Sequence, residues 1–164
     1  MSVTQQDIKL YRSLQNGLGG AIDLTNPVDQ VNLLNNIFSE ISAQQSEDGL
    51  TDYRCLYVVN DSTSENLQSA AVYIEVEPSS PGVYLELGKG QALPNNTEAA
   101  IADYETPPVG VIFQRANSVA AGVQIPSLGS SGGYQAFWIK RIIEPRTVPT
   151  GTNQFVLTVI GETT

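Results

Sequence analysis

Tyr53-Arg-Cys-Leu-Tyr-Val-Val59 is aromatic and β-branched along its length. Side chains of a strand alternate between two faces, so Tyr53, Cys55, Tyr57 and Val59 share one side while Arg54, Leu56 and Val58 share the other. Both sides are largely apolar. A strand that is dry on both faces belongs in the middle of a sheet with cover above and below, and this stretch therefore predicts a layered β architecture.

Other segments repeat the pattern. Ala71 to Glu77 sets Val72, Ile74 and Val76 against Tyr73 and Glu75, and Val83, Leu85 and Leu87 alternate with Tyr84 and Glu86. Pro78-Ser-Ser-Pro-Gly82 between them is turn chemistry, which predicts a hairpin of these two strands. Asp7 to Arg12, Val109 to Arg115, Gly122 to Ile125, Tyr134 to Ile143 and Phe155 to Ile160 read as further strands, about eight in all. Residues 88–108 are rich in Gly, Pro, Asn and Glu and read as a long surface loop. The period changes only after Asn26, where Val31, Leu34, Ile37, Phe38 and Ile41 recur at three- and four-residue spacing. With Asn26 as cap and Pro27 in the first turn, this predicts one helix over 27–43.

Short strands divided by Gly, Pro and Ser turns, without strand–helix alternation, predict a mostly β chain: an antiparallel β-sandwich, jelly-roll-like, with one short helix and an extended N-terminal segment. One domain over 1–164 is expected, with an N-terminal strand and Gly-rich arm (1–26), the helix (27–43) and the main strands (52–161). No internal repeat or charge block divides the chain.

Composition narrows the chemistry. The 164 residues include 8 Lys and Arg against 17 Asp and Glu, a formal net charge of −9, and no His. An anionic surface repels phosphate backbones and anionic lipid, so neither nucleic acid nor membrane is expected as a partner. The N-terminus lacks a basic start followed by an apolar run, so a soluble chain is expected. Without His the chain lacks the side chain most used for proton transfer near neutral pH and the commonest metal ligand. The lone Cys55 sits inside the most apolar strand and reads as core.

Gly17-Leu-Gly-Gly20 lacks the Lys-Ser/Thr ending of a phosphate-binding loop and reads as a tight bend. Glu75, Glu77 and Glu86 would cluster if the hairpin formed, but cross-strand acids on a wet face are commoner than catalytic pairs. Glu47, Asp48, Asp103 and Glu105 do not follow Ca²⁺-loop spacing. The expected sets are therefore catalytic none, metal none and cofactor none, and no enzyme is expected. Trp138, Lys140, Arg141 and Arg146 gather three of the cations near the only indole, and read as a positive contact spot suited to an acidic partner protein. Gly17, Gly19 and Gly20 join them as candidate protein-contact residues. Tyr84 or Tyr104 beside the Asn95 loop would be the aromatics of a carbohydrate-binding alternative.

Several stretches together resemble a family of small virion structural proteins of tailed bacteriophages. They are Asp7-Ile-Lys-Leu-Tyr-Arg12 with Gly17-Leu-Gly-Gly-Ala-Ile22, Asp52-Tyr-Arg-Cys-Leu-Tyr-Val-Val-Asn60, Phe137-Trp-Ile-Lys-Arg141, Thr147-Val-Pro149 and Leu157-Thr-Val-Ile-Gly-Glu162. In that family the aromatic residue and basic pair run directly into Thr-Val-Pro, whereas here Ile142-Ile-Glu-Pro-Arg146 intervenes. The resemblance implies a particle component located in the virion and assembled in the host cytoplasm. Its partners would be other virion proteins, either the major capsid protein or tail and baseplate proteins, and it would be a homo-oligomer within the assembly. A capsid cement or decoration protein is the first expectation. A tail, baseplate or fibre-attachment protein is the alternative.

Overall fold

The computed structural model describes residues 3–28, 37–148 and 154–163. After a short 3-10 turn at Gln5–Asp7 come eight strands: β1 (Ile8–Ser13), β2 (Ile22–Pro27), β3 (Leu50–Asn60), β4 (Leu67–Val76), β5 (Val83–Lys89), β6 (Val123–Ile125), β7 (Gly133–Ile143) and β8 (Val156–Thr163). They form a five-stranded sheet in the order β2-β1-β3-β7-β5 and a three-stranded sheet in the order β6-β4-β8. All pairings are antiparallel.

β3 is the middle strand of the larger sheet, as its two apolar faces predict. It pairs with β7 without interruption from Leu50↔Ile143 to Asn60↔Gly133. One face contributes Leu56 and Val58, with Leu85, Leu87, Phe137 and Ile139 from neighbouring strands, to a core that the smaller sheet closes with Leu67, Val72, Ile74, Val123 and Ile125. The other face carries Tyr53, Cys55, Tyr57 and Val59 beside Ala136 and Trp138. Among the described residues no second sheet covers it; Ile101, Leu18, Val111 and Phe113 from irregular segments do so. The molecule has three layers: small sheet, large sheet and a layer of loops.

Several expectations are corrected by this arrangement. β4 and β5 are not a hairpin, because β4 joins the smaller sheet and β5 pairs with β7. Crossing between sheets lets Val72 and Ile74 meet Leu85 and Leu87 from opposite sides of one core; alternation specifies a buried face but not the sheet that owns it. Residues 109–115 are not a strand and share with β5 a single bridge, Leu87↔Gln114, since Pro107 and Pro108 precede them and cannot extend a ladder. Of residues 88–108, Gly88 and Lys89 finish β5 and the rest are irregular, but they are more than surface, for Glu98 and Ile101 are buried.

The expected start of the helix is also displaced. Pro27 ends β2, an edge strand where a missing N–H costs nothing. Residues 29–36 of the expected helix lie outside the described residues. Ile37 and Phe38 are buried in the core, and among the described residues a helix spans Ala43–Asp48, at the end of the expected one. Ser42 caps it by accepting from the Gln45 N–H at 3.1 Å, and Gln45 answers by accepting from the Ser42 N–H at 2.9 Å.

The two-layer core gives a direct contrast. Leu87→Ala, which empties a fully buried site, is expected to cost about 2–5 kcal/mol in chemical denaturation. Leu93→Ala, on an exposed loop position, should stay within about 0.5 kcal/mol.

Candidate functional site

The loop layer is fastened to the large sheet by one buried carboxylate. Glu98 is 3% exposed. Its oxygens accept from the backbone N–H groups of Gln91 (3.0 Å) and Ala92 (2.9 Å) and from the Trp138 indole N–H (3.3 Å). Its own backbone N–H donates to the Tyr57 hydroxyl (2.9 Å), and its carbonyl accepts from Gly20 N–H (2.9 Å). Tyr57 in turn donates to the Gly20 carbonyl at 2.5 Å. Burial pushes the Tyr57 phenol well above its ordinary value, so it remains a neutral donor and acceptor. A buried ionisable side chain is tolerable only when its lone pairs are met, and here three N–H groups meet them.

The Gly-rich bend is part of this same clasp. Leu14–Gly17 turns through left-handed backbone at Gln15 and Asn16. Gly19, at φ +98°, lies so close to the 99–100 backbone that a Cβ would stand 2.6 Å from the Ala99 carbonyl oxygen. Ser13 Oγ accepts from the Gly19 N–H (2.8 Å), and the Leu18 carbonyl accepts from Ile101 N–H (2.8 Å). Gly17 packs on the Arg54 side chain, and only Gly20 faces open space. The bend therefore serves internal contact with the loop layer. Residues 1–26 are expected to form an N-terminal strand and Gly-rich arm; within that stretch Ile8–Ser13 and, running on to Pro27, Ile22–Pro27 are two strands of the large sheet joined through the bend.

The expected basic spot is dispersed. Trp138 is fully buried in the second core. Lys140 pairs with Glu86 at 2.8 Å, and Arg146 lies 3.5 Å from Glu47. Arg141 grips the buried Asp52 with two bonds of 2.9 and 2.7 Å and rests over the Phe38 ring. Asp52 also faces Arg54, whose guanidinium stacks 3.6 Å from the Tyr104 ring centroid. Burial works against the charge on Arg54, and Asp52 partly offsets it. Each cation on or beside the end of β7 thus has an acid of its own chain.

The remaining candidates separate as well. Glu75 accepts from the Thr158 hydroxyl, Glu77 pairs with Arg115 and Glu86 with Lys140, so the three carboxylates do not form a pair for catalysis. Asp103 closes its own turn by accepting from Thr106 and Glu105, and Asp48 accepts from Gln44. Among the described residues no three Asp, Glu or Cys side chains converge as a metal set. Tyr84 lies under Arg115, Tyr104 under Arg54, and Asn95 is bound to Tyr134, so the sugar-site residues are not assembled. No helix among the described residues is long and apolar enough to cross a membrane.

No protein-family model, curated protein or solved structure matches the chain. The surface itself must indicate the function. The loop layer presents apolar side chains to water: Leu93 is 74% exposed, Val109 94% and Ile112 82%. Val109 lines a concavity of about 400 Å³ with Gln91, Ala92, Pro107 and Pro108. Leu93 follows Ala92 directly, while Ile112 lies beyond Gly110, whose Cβ position would touch Gln91. Glu98 holds the backbone just before Leu93, the Leu87–Gln114 bridge ties down the segment of Val109 and Ile112, and Val111 and Phe113 on either side of Ile112 turn inward as anchors. The periodicity of 109–115 suggested a strand and so concealed this surface; the signal available was Pro107-Pro108, which forbids one.

Two outcomes follow from the clasp. Glu98→Gln removes the charge and directs an NH₂ at N–H donors, so a loss of about 1–3 kcal/mol is expected, with faster amide exchange at Gln91 and Ala92. Cys55, fully buried and pushed well above its ordinary thiol range by burial and then by Glu98, should resist thiol reagents at pH 8 until the chain unfolds; stoichiometric labelling of folded protein would contradict that burial.

Proposed function

We propose that the chain is a structural component of a tailed-bacteriophage virion, a capsid cement protein that works through protein–protein contact and carries no catalytic role. The observation that carries this reading is the loop layer, where Leu93, Val109 and Ile112 project into water: Leu93 follows Gln91 and Ala92, whose N–H groups the buried Glu98 carboxylate holds, and the segment of Val109 and Ile112 is tied to β5 by the Leu87–Gln114 bridge. Exposed apolar side chains on a fixed frame are what a contact surface needs, because little ordering entropy is lost when a partner covers them. The motifs shared with small virion proteins, among them Asp52 to Asn60 and Phe137 to Arg141, support the same reading. Those motifs supply much of the frame: Asp52, Tyr57, Trp138 and Arg141 all make its internal contacts.

In this reading the contact residues are Leu93, Val109 and Ile112, and the Gly17–Gly20 bend holds residues 98–101 of the same loop layer. Particles assembled without the chain should keep their tails but lose stability, releasing DNA at lower temperature, and the added chain should restore it. Val109→Asp with Ile112→Asp should cut shell occupancy at least tenfold while thermal unfolding stays unchanged. A copy number of a dozen or fewer, or intact heads lacking tails when the chain is absent, would assign it to the tail or baseplate.

A further inference from the structure

Four strands border the two sheets, and three of those edges carry the usual defences against pairing with another chain. β2 contains Asp23 and Pro27, and β6 is three residues long. β5 is bridged by Gln114 and has Glu86 joined to Lys140. β8 differs. It runs eight residues, Val156-Leu-Thr-Val-Ile-Gly-Glu-Thr163, with neither Pro nor Lys and with a single charge at Glu162. It pairs with β4 on one side, and among the described residues no strand lies on the other. Val156 and Ile160 are 44% and 37% exposed, and Leu157 and Val159 are only partly buried against the core.

We propose that this edge is completed by a second copy of the chain, β8 against β8, antiparallel across a two-fold axis, so that two three-stranded sheets join into one of six. Symmetry favours this occupant, because an antiparallel pair related by a two-fold presents the same row of N–H and C=O groups from both sides. Charge favours it too. A chain of net charge −9 repels its own copies over much of its surface, but Val156–Ile160 is uncharged, and Glu75 beside it is occupied by the Thr158 hydroxyl. With Val159 at the axis, Glu162 of each copy lies opposite Val156 of the other, so the two carboxylates fall at opposite ends of the interface. Val159 then gains cover from its counterpart, and Leu157 from Val159 of the other copy, diagonally across the pair. A single strand pair buries less than the roughly 800 Å² per partner of a standard interface, so a dissociation constant on the order of micromolar is expected. The inference stands independently of the virion reading.

Sedimentation equilibrium of the full chain should show a monomer–dimer equilibrium, and Val156→Lys with Ile160→Lys should weaken it at least tenfold. As a check that survives misfolding of that variant, Thr158→Cys and Ile160→Cys chains, each inert at buried Cys55, should form disulfide-linked dimers faster when mixed than when either is alone, because residues 158 and 160 face each other in this register. A chain that stays monomeric at several hundred micromolar would overturn the proposal. So would a dimer whose affinity the lysines leave unchanged in a folded variant, or cross-linking that shows no preference for the mixture.

Discussion

A strand that is dry on both faces needs two covers, and that constraint governs this molecule. Tyr53, Cys55, Tyr57 and Val59 cannot be left in water any more than Leu56 and Val58 can, and β3 places the two sets on opposite sides of one sheet. The smaller sheet meets one side. The other is met by irregular chain, whose backbone polar groups must find partners without the help of a ladder. The buried Glu98 and the Tyr57 hydroxyl solve that problem, accepting N–H groups from the loop layer and tying it to β3, β7 and the Gly bend. A carboxylate that in isolation suggests chemistry is here the fastening of a lid of loops.

The same economy explains why the charged residues of the β7 end serve structure. Asp52 is buried beneath Arg141 and beside Arg54, and Phe38 lies within cation–π distance of both guanidinium groups. A carboxylate so placed is stable only while its cations stay. Such groups are committed to the fold.

The β character and the central position of β3 were legible from alternation alone, because a period of two with both faces apolar has few other readings. The strands around Ala71, Val83 and Tyr134 were legible for the same reason. Pairing was not: Val72 and Leu85 announce buried faces, but nothing local tells whether those faces lie side by side or across a core. β2 escaped notice because Ile22-Asp-Leu-Thr-Asn-Pro27 has a weak pattern and ends in Pro, and its strand state depends on β1. Trp138, Lys140 and Arg141 read in sequence as one contact spot, but their partners Glu98, Glu86 and Asp52 come from distant sequence and draw them into separate internal contacts. Glu98 gave no local sign of its role, since a Glu between Thr97 and Ala99 looks like any solvated acid.

The uninterrupted β3–β7 ladder also bears on how the chain reaches this state. Asp52 and Arg141 meet across a sequence separation of 89 residues, and the smaller sheet closes only when β8, near the end of the sequence, lies beside β4. Topologies dominated by such distant pairings fold slowly, on the order of milliseconds to seconds for small β domains, because loop closure must precede the contacts that reward it. During synthesis β3 emerges long before either cover exists, so a segment apolar on two sides waits for most of the chain to follow. The arrangement that makes the finished body rigid therefore makes its nascent form the most association-prone stage of its life.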